Sequence, residues 1–116
     1  MKQNIVKEKS YKFVVSIFPL YRILKCKREY DIVRQLWRSS TSIGANIEEA
    51  VAAYSRADFG HKLTIALKEA RETRYWLNLL KDIQLLTDIN DHLAMIESII
   101  SILTRTVKTL NSHLSH

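Results

Sequence analysis

Ile89, Leu93, Ile96, Ile100, Leu103, Val107 and Leu110 follow one another at spacings of four and three, with Leu114 in phase beyond them. A strand brings its apolar residues to one face at every second position, so only a helix sets all of these on one side. The seam runs for roughly six turns. A helix with one apolar side that long needs other helices to cover it. Asp88 and Asp91 stand at its start and Arg105 and Lys108 near its end, the polarity that a helix dipole favours. We expect this helix over about 88–112, capped by Thr87 or Asp88.

Three earlier stretches supply the cover. Phe13, Ile17, Leu20 and Leu24, widened by Val14, Phe18 and Tyr21, predict a helix over about 11–26 with Ser10 as its cap. Residues 1–8 read as polar and loosely held. Pro19 lies inside the pattern and predicts a kink near Val15–Pro19, because it removes a donor and crowds the preceding turn. A second helix is expected over 31–53, with Val33, Leu36, Ser40, Ile43, Gly44, Ile47 and Val51 inward. Beside that face runs a small polar stripe of Gln35, Ser39, Ser42, Asn46, Glu49 and Ala53. Gly44 costs a helix about 1 kcal/mol against Ala, so its presence beside Ser40 predicts close approach of another backbone. Ser55 with Asp58 forms a cap signal for a third helix over 56–80. Its inward stripe is Phe59, Leu63, Ala66, Ala70, Thr73, Leu77 and Leu80; its neighbouring stripe is Lys62, Ile65, Glu69, Glu72, Trp76 and Leu79. Four helices with short connections predict an all-α chain folded as one antiparallel up-down-up-down four-helix bundle over residues 1–116.

Composition agrees and adds a charge bias. The 116 residues include only two Gly and one Pro, too few for a loop-rich fold. No apolar run approaches the roughly 18 residues of a membrane span. The opening MKQNIVKEKS has no apolar signal core, and the lone Cys26 has no partner for an internal disulfide; both predict a cytoplasmic protein. Residues 1–28 carry eight cations against Glu8 alone, a net +7, whereas the remainder carries ten cations and eleven acids. Such a basic quarter suits a polyanionic partner, or equally a solvated helix face beside a frayed terminus.

No constellation of catalytic groups stands out. A di-iron bundle site requires Glu-x-x-His on two helices, and no Glu here is followed by His at that spacing. Asp58 with His61 comes nearest, at a helix start where Asp serves as a cap; His92, His113 and His116 have no carboxylate at that spacing. Glu49, Glu69 and Glu72 lack a nucleophile, a Gly-rich phosphate loop or a His partner, so we read them as members of a half-buried polar layer paired with Lys or Arg, Asn46 or the Trp76 indole. No cofactor is expected. Phosphate contacts tolerate loose spacing, and the candidates are Lys9, Lys12, Arg22, Lys25, Lys27 and Arg28 with Lys68, Arg71 and Arg74 on the outer face of the third helix. Tyr11, Tyr21, Tyr30 and Tyr75 lie near basic residues, although tyrosine in a helix is more often half-buried packing. No helix-turn-helix, zinc finger or RNP sequence is present, so base reading in a duplex groove is not indicated.

The segments TSIGANIEEA, SRADF and KEARETRYWL, set in a match that runs from NIVKEKSYKF to NLL, resemble the 23S rRNA intervening-sequence proteins. That resemblance implies a four-helix bundle assembled into a homopentameric ring. It also brings in a related group, the accessory proteins of diversity-generating retroelements, whose basic pentamer associates with nucleic acid and a reverse transcriptase. Positions frequent in the family correspond to Gly44, Asn46, Glu49, Asp58, Lys68, Glu69, Glu72, Tyr75 and Trp76. None of them implies catalysis. Pro19 departs from the family's pattern, where a helix-compatible residue is usual.

The reading that results is a non-enzymatic, basic, oligomeric scaffold that binds nucleic acid, RNA or ribonucleoprotein ahead of DNA, with a nucleic-acid enzyme as a further partner that the resemblance implies. The alternative is a protein-interaction or structural module whose charge serves solubility. The second stripes of helices two and three predict the subunit contact, with Gly44, Asn46, Glu49, Glu69, Glu72, Trp76 and Leu79 in it, because a lone bundle would leave Trp76 and Leu79 partly wet.

Overall fold

Helix boundaries are set by where an apolar stripe ends and where the backbone is able to turn. A computed structural model describes residues 2–114, with side chains described for residues 4–112. It holds four helices: α1 (Lys2–Cys26), α2 (Tyr30–Val51), α3 (Arg56–Asp82) and α4 (Asn90–Leu114). α2 packs on α1 and α3, and α4 on α3 and α1, while the diagonal pairs do not meet. This is the square antiparallel bundle expected of four helices with short connections, drawn out to 50 × 22 × 22 Å.

α1 begins well before the expected residue 11. Val6 and Ser10 extend the stripe of Phe13, Ile17, Leu20 and Leu24 backward at the same spacing, and both are buried. The loosely held start and the Ser10 cap are therefore corrected. Ser10 lies inside the helix, where its hydroxyl donates to the Lys7 carbonyl at 2.9 Å. It also meets Gly44: a Cβ built on that glycine would stand 3.6 Å from Ser10 Oγ. What approaches Gly44 is thus a side chain of α1 and not a backbone, with room left for a methyl group.

The helix runs through Pro19 without a break. Proline leaves the Val15 carbonyl without its usual donor, and both residues are exposed, so water can reach the vacated acceptor. One residue further, the Ser16 carbonyl accepts from His92 of α4, with Nε2 at 3.1 Å. That bond puts the imidazole proton on Nε2, and Nδ1 is buried with no hydrogen-bond partner among the described residues.

In α2, Val33, Leu36, Ser40, Ile43 and Ile47 are buried as expected, but the last turn turns Ala50 inward and leaves Val51 47% exposed. The helix is rotated toward α3, its most extensive neighbour. Ser39 is buried for the same reason, against Thr73. Thr73 Oγ1 lies 2.8 Å from Ser39 Oγ and 2.9 Å from the Glu69 carbonyl. Ser39 Oγ lies 3.3 Å from the Leu36 carbonyl. Two hydroxyl protons therefore satisfy this buried pair in either direction of donation.

Ser55 caps α3 by accepting from the Asp58 amide at 3.0 Å. Neither Thr87 nor Asp88 caps α4. Both lie in the connection, and the first α4 bond runs from the Leu93 amide to the Ile89 carbonyl. α3 continues to Asp82 and so pushes the start of α4 to Asn90. The seam of α4 buries Ile89, Ile96, Ile100, Leu103 and Leu110, half-buries Leu93 and Val107, and adds Ile99. The Leu114 side chain lies outside those described.

α1 and α3 end in the same way. Arg28 and Gln84 adopt left-handed backbone angles, φ 62° and 64°. The next amides, Glu29 and Leu85, reach back to the carbonyls of Leu24 and Leu80 at 3.0 Å each. These are Schellman closures built without glycine. The two turns share one end of the bundle, where Lys27 Nζ donates to the Leu85 carbonyl at 2.8 Å.

Candidate nucleic-acid interface

The sequence places cations on α1, its following turn and α3, and the fold decides which of them act together. α1 and α3 are diagonal partners that do not touch, so Lys68 and Arg71 face away from the α1 set. Arg74, also on α3, is turned to α4 and pairs with Glu97 at 2.9 Å. The nine candidate residues accordingly form no single surface on one subunit.

Along α1 the cations divide again. In the N-terminal half, Lys7 pairs with Glu48 at 3.1 Å and Lys12 with Glu8 at 3.0 Å, while Lys9 is exposed. The stretch from Arg22 to Arg34 differs. It carries Arg22, Lys25, Lys27, Arg28 and Arg34 against Glu29 and Asp31, all but half-buried Glu29 exposed. Lys27 is hydrogen-bonded to a carbonyl, which neutralises none of its charge. Arg34 was not among the residues picked out from sequence. Its signal was there: one turn after Tyr30 and one before Arg38, on the outer side of α2.

Aromatic rings gather beside these cations. Phe18 and Tyr21 stack with ring centroids 5.9 Å apart, and Trp37 of α2 lies 5.2 Å from Tyr21 and 5.8 Å from Phe18. Lys25 Nζ sits 5.5 Å from the centre of the Tyr21 ring. Between α1 and α2 this leaves an open groove of about 330 Å³. Tyr21, Tyr30 and Trp37 line it with rings and Lys25, Arg34 and Arg38 with charge, and no acid enters it.

The second stripes of α2 and α3 meet each other within the subunit. Arg38, which sequence reading also passed over, bonds Glu69 at 2.9 Å and also bonds Glu72. The Trp76 indole donates to Glu72 at 3.0 Å, and Lys62 pairs with Glu49 at 2.9 Å. Asn46 turns back to its own helix, 2.9 Å from the Ser42 carbonyl. Donation from Trp76 and then from Arg38, acting against partial burial, holds the Glu72 carboxyl below its ordinary range. The bonds to Glu72 and Glu69 raise Arg38, and Glu49 raises Lys62. A carboxylate held below its ordinary range is a poorer base near neutral pH, so this cluster is built as an ionic seam. Gly44, Asn46, Glu49, Glu69, Glu72 and Trp76 thus all find their neighbours inside one subunit, and Trp76 and Leu79 are half-buried there. Outward apolar groups remain along α1, with Tyr11 70% and Val15 56% exposed, and at scattered positions elsewhere, Tyr54 and Tyr75 among them.

Asp58 and His61 occupy the first turns of α3, and among the described residues no three His, Cys, Asp or Glu side chains converge as metal ligands. No described helix is long and apolar enough to cross a membrane.

Among solved structures, the chain is similar to a crystal structure of a protein of unknown function from Bacteroides thetaiotaomicron, assigned to the S23 ribosomal protein family. Identity is 45%, the TM-score is 0.87, and the match covers 93% of this chain and 99% of the other. No curated protein matches the chain. The profile of the 23S rRNA-intervening sequence proteins matches residues 2–105. With nearly the whole bundle inside that match, the chain belongs to the 23S rRNA-intervening sequence protein family.

Proposed function

We propose that this protein is a non-enzymatic, cytoplasmic scaffold that binds nucleic acid, RNA ahead of DNA, by contacts to phosphates, and that it works as a homo-oligomer. The observation that carries the reading is the run of cations from Arg22 to Arg34, gathered on the α1–α2 side of one bundle end with only Glu29 and Asp31 against it. Phosphates need no more than accessible positive charge at loose spacing, which this surface offers. The family's name refers to 23S rRNA and the neighbour's to a ribosomal protein family, and both favour RNA. The neighbour is a protein of unknown function, and among the described residues no cluster combines nucleophile, base and charge stabiliser.

Self-association serves the same end. Tyr11 and Val15 give the N-terminal half of α1 an outward apolar strip, which a second subunit would remove from water. A ring, with five subunits as the family resemblance implies, would repeat the basic end and raise avidity through effective concentration.

Filter binding of a structured RNA at several salt concentrations tests the first part. About four phosphate contacts per site give a slope of log K on log salt near −3. Absence of binding at about 50 mM salt, or binding without a slope, would refute it. Sedimentation at micromolar protein tests the second part, and the mass of one chain would exclude the oligomer.

A further inference from the structure

We infer that the groove between α1 and α2 receives an unstacked base of single-stranded RNA, so that the protein prefers single strands to duplex. The inference rests on the nucleic-acid reading above and makes it specific. Bare phosphate binding needs cations alone, yet here the cations surround rings. Tyr30 is 49% exposed, and half-buried Tyr21 and Trp37 line the same groove. Phe18, Tyr21 and Trp37 brace one another at 5.2–5.9 Å, so these rings form a rigid platform with little conformational freedom left to lose on binding.

A base offers a flat π face that stacks on such rings whatever its identity, and its phosphate brings the charge that Lys25 and Arg34 complement. Arg38 is held by Glu69 and Glu72, which leaves Lys25 and Arg34 as the groove's cations for a ligand. Lys25 stands over the Tyr21 ring at the groove, which sets a positive charge beside Tyr30 and Trp37 for the phosphate of a base stacked on them. A duplex hides its base faces in the stack and would engage the cations without the rings. An acidic protein segment would likewise satisfy the charge, yet it would leave the flat faces of Tyr30 and Trp37 without a matching surface.

The test uses the full chain, a labelled single-stranded oligouridylate and an RNA duplex of equal length. Single-strand binding should quench tryptophan fluorescence, and the quench should disappear in Trp37→Phe while persisting in Trp76→Phe. Tyr30→Leu keeps the charge and removes an exposed ring, so it leaves the fold intact. It should weaken single-strand binding roughly tenfold and leave duplex binding unchanged. Arg34→Gln should weaken both ligands alike and reduce the salt slope by about one. Equal loss or no loss on both RNAs in Tyr30→Leu overturns the inference while the phosphate-binding scaffold stands. If the wild-type chain binds neither RNA, both readings fall. A lower assembly mass in Tyr30→Leu, with RNA binding unchanged, would make the groove a subunit contact and overturn the inference as well.

Discussion

Replacing Gln84 with glycine should make this protein more stable, against the usual rule that glycine weakens a helical chain. Gln84 closes α3 at φ 64°, where its Cβ crowds the following carbonyl. The left-handed conformation costs a side-chain-bearing residue about 1–2 kcal/mol. Glycine removes that cost and adds about 0.5–1 kcal/mol of backbone entropy lost on folding. The balance is a gain of about 0.5–1 kcal/mol. The closing bonds, Gln84 amide to Lys81 carbonyl at 3.1 Å and Leu85 amide to Leu80 carbonyl at 3.0 Å, use backbone alone and survive the change. The Gln84 side chain is exposed, so little packing is lost. Unfolding entropy near 2.1 cal/mol/K per residue then turns this gain into a Tm rise of about 2–4 °C for a chain of this length. Thermal circular dichroism at one fixed protein concentration measures it, because self-association would otherwise move Tm. Gln84→Ala is the control: it keeps the Cβ and should not raise Tm. A glycine variant that melts below the alanine variant would refute the strain argument.

Gly44→Ala should stabilise by up to about 1 kcal/mol in urea melts, because the new Cβ makes only an ordinary 3.6 Å contact with Ser10 while helix propensity improves. Trp76→Ala should cost about 2–3 kcal/mol in the same assay, below the 3–5 of an enclosed ring, since the side chain is half-buried in the subunit. Glu72 is held below its ordinary range, so it contributes stability that is present above the unfolded value near 4.3 and is lost as pH falls through the lower folded value. The stability advantage of wild type over Glu72→Gln should therefore be full at neutral pH and shrink on acidification, as urea melts across that range would show.

The seam of α4 and the inward stripes of α2 and α3 were legible because spacings of four and three leave a helix as the one regular solution, and Val33, Leu36, Ile43, Ile47, Leu77 and Leu80 are buried accordingly. The start of α1 was not legible. Val6 and Ser10 are single residues among lysines, and a serine at the head of an apolar run resembles a cap; that Ser10 continues the inward stripe and faces Gly44 is seen only once α1 is set against α2. The ends near Asp82 and Asn90 were missed because the turn signals usually sought are glycine and proline, and this chain closes its helices on Arg28 and Gln84 instead. The pairing of Glu69 and Glu72 with Arg38 needed the rotation of α2 toward α3, which no spacing along one helix reveals. The basic residues were visible as composition, but their division between diagonal helices belongs to topology.

That division explains why one bundle can hold both a closed wall and an open one. The α2–α3 wall is the most extensive contact and is sealed by ion pairs at 2.9 Å at either end of its polar stripe, Lys62 with Glu49 and Arg38 with Glu69. Its acids are matched by cations within the subunit, so little field from it reaches solvent. The α1 side has the opposite balance. Its acids, Glu8 and Glu48, are taken up by Lys12 and Lys7 in the N-terminal half, and the excess of charge is displaced toward Arg22 and the turn that follows. Rings gather at the same place, where Phe18, Tyr21 and Trp37 pack together between α1 and α2 and leave an open groove beside Tyr30. Unmatched cations and partly covered rings are each poorly served by water or by the rest of the subunit. A partner that brings a negative backbone and flat apolar faces serves both at once, and a single strand of nucleic acid carries that combination in every residue.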